Sequence, residues 1–154
     1  MNTVWDKKYI QNDLLNLSAD AFITKWFFDT TPRLFENKEM EFILWRDSIA
    51  EELKIDPSDI IITGSAGIGY SLNPNKGFKE FDDSSDIDVC IVSQHYFNIA
   101  WHELINVSPD RLGDTRMRAA LNDHRQRLVY WGTIATDKIL PLLSFAKSWN
   151  DIIH

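Results

Sequence analysis

Residues 64–93, GSAGIGYSLNPNKGFKEFDDSSDIDVCIVS, decide how this 154-residue chain is read. Gly64-Ser65 directly follows the β-branched run Ile60-Ile61-Ile62-Thr63, and Asp86-Ile87-Asp88 runs into Val89-Cys90-Ile91-Val92. The two apolar runs predict two strands, 60–63 and about 86–92. Alternation along the second strand puts Asp86 and Asp88 on one face and Ile87 on the other. Neighbouring carboxylates disfavour each other's ionised form, and a divalent cation between them removes that penalty. Mg²⁺ is usually held by one or two carboxylates together with substrate phosphates. A phosphate-bearing ligand is therefore expected at the same place.

Gly64-Ser65 offers a seat for it. A strand that ends at Thr63 and turns into a short helix running to Tyr70 exposes backbone N–H groups at the positive end of the helix. Gly64 lets the backbone approach closely, the Ser65 hydroxyl donates to a phosphate oxygen, and Gly67 and Gly69 keep bulky side chains out of the turn. A glycine-rich turn is by itself also a plain tight connection, and acidic strand ends also serve solubility. Their combination on one small sheet, strand then Gly-Ser then Asp-x-Asp, points to a phosphate cradle beside a metal site.

That combination, GS followed by SDIDVCIV, resembles the signature of the DNA polymerase β-type nucleotidyltransferase superfamily over about residues 59–93. The resemblance implies an α/β fold in an α+β layout. A small mixed sheet would carry a nucleotidyltransferase-like core, between N-terminal helices and a C-terminal helical segment. It implies that Gly64 and Ser65 contact the triphosphate of an NTP, and that Asp86 and Asp88 are catalytic and hold Mg²⁺, with two ions possible. The implied reaction moves a nucleotidyl group to a hydroxyl of a protein or nucleic-acid acceptor, by positioning and charge neutralisation. Lys76 and Lys79, in KGFKEFDD, are placed to reach phosphates, although the same loop also reads as a solvated surface.

Active members of that superfamily carry a third carboxylate on a later strand of the sheet. Asp123 lies in a helical, arginine-rich context. Asp137 follows Thr133-Ile134-Ala135-Thr136, a possible short strand, and is the remaining candidate. The missing partner, and an end that comes earlier than in family members, imply an alternative. In it the chain is a catalytically silent member, a nucleotide sensor, antitoxin-like regulator or defence-complex subunit, with a partner chain completing the fold.

Composition bounds the rest. A hydrophobic content of 44% is ample for a packed core and argues against a disordered chain. The net charge of −7 argues against broad nucleic-acid binding, which needs a basic field, but not against a single nucleotide. No apolar run approaches the roughly 20 residues of a membrane span, and no signal peptide is visible, so a cytoplasmic protein without a membrane partner is expected. Cys90 has no second cysteine to pair with and is expected as a small buried hydrophobe. His95, His102, His124 and His154 show no metal-ligand spacing.

One domain is expected: a helical lead-in over 1–55, the motif-bearing core over 59–106, and a helical tail over 114–154. The lead-in predicts a helix over 5–17 on Trp5, Tyr9, Ile10, Leu14 and Leu17, and a second capped by Ser18 that ends before Pro32. A third over 37–54 would bury Met40, Ile43, Leu44, Ile49 and Leu53. Trp26-Phe27-Phe28 and Trp45 are expected in the core. Helices are also predicted over 94–106 and 114–130. In the latter, Arg116, Arg118, Arg125 and Arg127 pair with carboxylates or grip phosphates.

Overall fold

The computed structural model describes residues 5–153. The chain forms two compact units, the first ending at Val92 and the second beginning at Ser93.

The first unit opens with α1 (Lys7–Asn16), capped by the Asp6 carboxylate, which accepts from the Lys8 amide at 2.7 Å. Then α2 (Ala19–Ile23) starts at Ser18 as its sequence signals, with Ser18 Oγ accepting from the Ala21 amide, and runs on as a π turn over Thr24–Phe28. Trp5, Ile10, Phe22 and Trp26 form a buried cluster with Ile68 and Tyr70. Asp13 is buried in its flank and satisfied there. It accepts from Trp26 Nε1 at 3.0 Å and from Lys25 Nζ at 2.6 Å. That bond holds the Lys25 ammonium above its ordinary pKa.

The third helix, α3 (Glu39–Leu53), corrects an expectation. Of the five residues assigned to a core stripe only Leu53 is buried, while Met40, Ile43 and Leu44 are exposed. Phe42 and Trp45 are the apolar residues that find partners, closing on Phe35 with centroids 5.3 and 5.6 Å away. The stripe therefore turns toward Phe35 rather than through Met40 and Leu44. The α1 stripe is corrected likewise: Trp5 and Ile10 are buried, but Tyr9, Leu14 and Leu17 are exposed. Phe28 is exposed too, whereas Trp26 is buried and Phe27 packs against the cluster.

The 3₁₀ turn Pro57–Asp59, capped by Asp56, leads into β1 (Ile60–Thr63), which passes directly into α4 (Gly64–Ile68). After the loop, β2 (Asp88–Ile91) pairs with β1 antiparallel, in the register Ile60↔Ile91, Ile61↔Cys90, Ile62↔Val89 and Thr63↔Asp88. The α+β layout holds, but the described sheet has two antiparallel strands rather than a mixed set. The second strand also starts later than predicted. In this register Ile87 and Asp86 would face Gly64 and Ser65, which already belong to α4, so the ladder has no partner for them. A turn closed by the Ser85 amide on the Asp82 carbonyl holds the chain just upstream.

The two strands differ in burial. Ile60, Ile61 and Ile62 are buried, but Asp88, Val89 and Cys90 are exposed. Cys90 is thus not the buried hydrophobe its apolar context predicts. Partial desolvation nonetheless pushes its thiol upward.

The second unit is helical, with α5 (Gln94–Asn106), α6 (Thr115–Asp123), α7 (Thr136–Ile139) and α8 (Ala146–Ile153). A π turn over His124–Leu128 extends α6, and Pro141 sits in a 3₁₀ turn. Ala100, Leu104, Leu121, Ile139 and Leu143 form its core. Residues 133–136 do not form a strand: Thr136 opens α7, where Asp137 is exposed. No helix among the described residues is long and apolar enough to cross a membrane.

Candidate functional site

The site starts from one backbone feature. Gly64, at the exit of β1, has φ +63°, a left-handed conformation that an L side chain resists. Its missing side chain is also spatially required. A Cβ there would stand 2.9 Å from the Asp88 Oδ2 atom, so the Asp88 carboxylate lies directly against the Gly64 backbone. The register produces this, since Thr63 and Asp88 are partners and Thr63 Oγ1 donates to the Asp88 carbonyl at 3.3 Å. Gly67 has a different task. A Cβ on it would meet the Ile62 carbonyl oxygen at 2.5 Å, so its smallness lets α4 fold back onto β1.

Two of the three motif elements are thus brought together: the Gly-Ser turn and Asp88. Ser65 is half-buried in the first turn of α4, and its hydroxyl makes no hydrogen bond among the described residues. Asp86 is exposed two residues ahead of the strand. Neither the Asp86 nor the Asp88 carboxylate has a hydrogen-bond or ion-pair partner among the described residues.

The loop between α4 and β2 is ordered by its own contacts. The Phe81 amide donates to the Gly69 carbonyl and the Ser71 amide to the Lys79 carbonyl, both at 2.8 Å, and Tyr70 stacks on Phe78 with centroids 5.1 Å apart. Burial pushes the Tyr70 phenol above its ordinary value. Lys76, in the turn Pro74–Lys76, is exposed and without an ion pair among the described residues. Lys79 is occupied: its Nζ lies 3.1 Å from an Asp82 carboxylate oxygen and 3.0 Å from Ser84 Oγ.

Asp82 is the centre of that staple and was not singled out by the motif. The Ser84 hydroxyl and the Lys79 ammonium, together with the Ser84 amide, hold its carboxyl well below the usual carboxylate range. The signal was present in the sequence as Asp82-Asp83-Ser84-Ser85, a pattern whose short polar side chains bond their own backbone.

The remaining candidates fall elsewhere. Asp123 is engaged bidentately by Arg127 at 2.9 Å, which holds its carboxyl low, and Asp137 sits on a helix of the second unit. Among the described residues no group of three or more His, Cys, Asp or Glu converges as a metal site. Arg125 closes the end of α5, donating to the Leu104 and Val107 carbonyls, and Arg118 donates to the Leu112 carbonyl at 2.8 Å. Among the described residues, only Arg127 of the four makes an ion pair, while Arg116 is exposed. His124 is wholly buried and structural. Its Nε2 accepts from the Ala135 amide at 3.0 Å, which puts the proton on Nδ1, donating to the Ala120 carbonyl at 2.7 Å. His154 lies outside the described residues. In comparisons with known proteins, no family model matches this chain, and no curated protein or solved structure matches it.

Proposed function

We propose that the region around Gly64 and Asp88 is a nucleotidyltransferase-like site that binds Mg²⁺ and an NTP and passes a nucleotidyl group to a hydroxyl of a protein or nucleic-acid acceptor. The observation that carries this reading is the seating of the Asp88 carboxylate in the space left open by Gly64, at the first turn of α4. The donor set suits a hard cation: Asp86 and Asp88 offer exposed carboxylate oxygens that no cation of the described chain neutralises.

Bound there, Mg²⁺ would neutralise polyphosphate charge and orient the reacting oxygens. The chain's own contribution is positional. Gly64 keeps the turn open beside Asp88, and the free Ser65 hydroxyl is a donor for a phosphate oxygen. Lys76 is unpaired and available to a phosphate, whereas Lys79 must first leave Asp82 and Ser84.

A second reading rests on a specific observation, the absence of a third convergent carboxylate among the described residues. In that reading the same site binds a nucleotide without turning it over, as a sensor or regulatory subunit, or a partner chain completes the catalytic set. Incubation with labelled NTPs and Mg²⁺, comparing the wild-type chain with Asp86→Ala/Asp88→Ala, separates the two. Label transfer lost in the variant supports turnover. Mg²⁺-dependent binding without transfer supports the silent reading, and absence of binding sinks both.

A further inference from the structure

We propose that the outer edge of β2 is a docking site for an extended, lysine- or arginine-bearing segment of another protein. This inference does not rest on the nucleotide reading. It starts from the hydrogen-bond phase of the sheet. The Val92 amide donates to the Asp59 carbonyl at 2.8 Å, which makes Asp59 and Val92 a bonded pair. With the register known, Ile61–Cys90 and Thr63–Asp88 are the other bonded pairs. The amide and carbonyl groups of Val89 and Ile91 therefore point away from β1. Among the described residues no strand lies on that side.

Such an edge is a template for another strand, and natural sheets blunt it with lysine, proline or a bulge. Past Asp88, the run Val89-Cys90-Ile91-Val92 contains none of these and no charge. It also presents apolar side chains on both faces, with Ile87 52%, Val89 43% and Val92 51% exposed. The geometry specifies an occupant in extended conformation, bonded through its backbone.

Charge selects which one. Asp82, Asp83, Asp86 and Asp88 lead into the edge, and of these only Asp82 has a cation beside it among the described residues. Through Val92 the chain carries seventeen Asp and Glu against nine Lys and Arg. A second copy pairing edge to edge would add the same four carboxylates and, within residues 82–92, no cation to offset them. A segment with Lys or Arg at alternate positions instead brings the missing counter-charges, while its intervening apolar residues cover Val89 and Ile91.

The test uses a fluorescein-labelled acetyl-Lys-Val-Lys-Val-Lys-Val-amide peptide, with the Glu-for-Lys peptide as its counterpart. Fluorescence anisotropy is read with the full chain in EDTA without nucleotide, so that metal or nucleotide binding plays no part. Val89→Pro removes an outward amide and none of the bonds to β1. It is expected to weaken the lysine peptide by about tenfold or more, with circular dichroism unchanged. Asp83→Asn, an exposed change that keeps the fold, is expected to weaken it and to flatten its salt dependence. Equal binding by Val89→Pro and wild type overturns the proposal, as does equal binding of the glutamate peptide or no saturable binding. Self-association in sedimentation that Val89→Pro abolishes also overturns it, because the occupant is then a second copy.

Discussion

Gly64→Ala tests the contact on which the site is built. The substitution adds a methyl group to a residue at φ +63° and places it 2.9 Å from Asp88 Oδ2. The left-handed backbone alone costs an alanine about 1–2 kcal/mol. For a chain of this size each kcal/mol lowers Tm by about 2–4 °C, so the backbone effect alone predicts a drop of about 2–8 °C. The contact with the carboxylate adds to this, because Asp88 must move and its own backbone is held in the ladder opposite Thr63. The two contributions separate in a double-mutant cycle with Asp88→Ala, followed by urea unfolding and circular dichroism. Gly64→Ala in the Asp88→Ala background keeps the backbone cost and loses the collision. It should therefore destabilise less than in the wild-type background. If Gly64→Ala is neutral, or costs the same in both backgrounds, the carboxylate does not occupy the space beside Gly64. The Gly-Ser turn and Asp88 would then not form one site.

Two further outcomes follow from groups whose partners are fixed. His124→Leu leaves the Ala135 amide without its acceptor, while the Ala120 carbonyl loses one of two donors and keeps the backbone amide of residue 124, and the change should cost about 1–3 kcal/mol by urea unfolding. A change within about 0.5 kcal/mol, as at ordinary surface positions, would contradict the assigned bonds. Asp82 has a folded pKa below its ordinary 3.8, so the stability it lends is present above that value and is lost as pH falls through the folded value. A carbon-detected titration should show this carboxyl ionised well below pH 3.8, with Lys79→Met or Ser84→Ala raising it. Titration at the ordinary value in the wild type would mean that the Lys79–Asp82–Ser84 staple does not form.

The sequence is most legible where the signal is local. Ser18 caps α2, Asp56-Pro57 opens the turn before β1, and Ile60–Thr63 forms the first strand, because caps, prolines and β-branched runs act on their own backbone. Asp86 shows where locality fails. Its alternation with Asp88 reads as a strand, but a strand extends only as far as its partner, and Asp86 lies outside β2. Gly64 ends β1 by turning into α4, and that decides where β2 begins. Tertiary choice decides α3 in the same way: Met40 and Leu44 share the spacing of buried residues, while the aromatic pair Phe42 and Trp45 takes the available neighbour, Phe35. The seating of Asp88 against Gly64 needed the register as well. It depends on the pairing of Thr63 with Asp88, 25 residues apart in sequence, which no local propensity reports.

The contrast between β1 and β2 carries this one step further. Both are short apolar runs and read alike, yet β1 is buried and β2 is exposed along most of its length. Burial of a strand is set by the layers laid over it, and β1 receives them from its own surroundings: α4 folds back at Gly67, where the Ile62 carbonyl leaves no room for a side chain, and Phe27 of the π turn reaches the same glycine. β2 has β1 on one side, and among the described residues no strand pairs with its other side. An exposed run as apolar as Val89-Cys90-Ile91-Val92 is what the proposed docking edge requires. The carboxylates beside it bear on both proposals, since each requires Asp86 and Asp88 to attract a cation, as Mg²⁺ in one and on a peptide in the other. Competition distinguishes sharing from independence. If the two ligands use the same carboxylates, Mg²⁺ should displace the lysine peptide from wild type, and the effect should vanish in Asp86→Ala/Asp88→Ala. If displacement persists in that variant, the metal acts elsewhere, and the Asp-x-Asp pair is not its site.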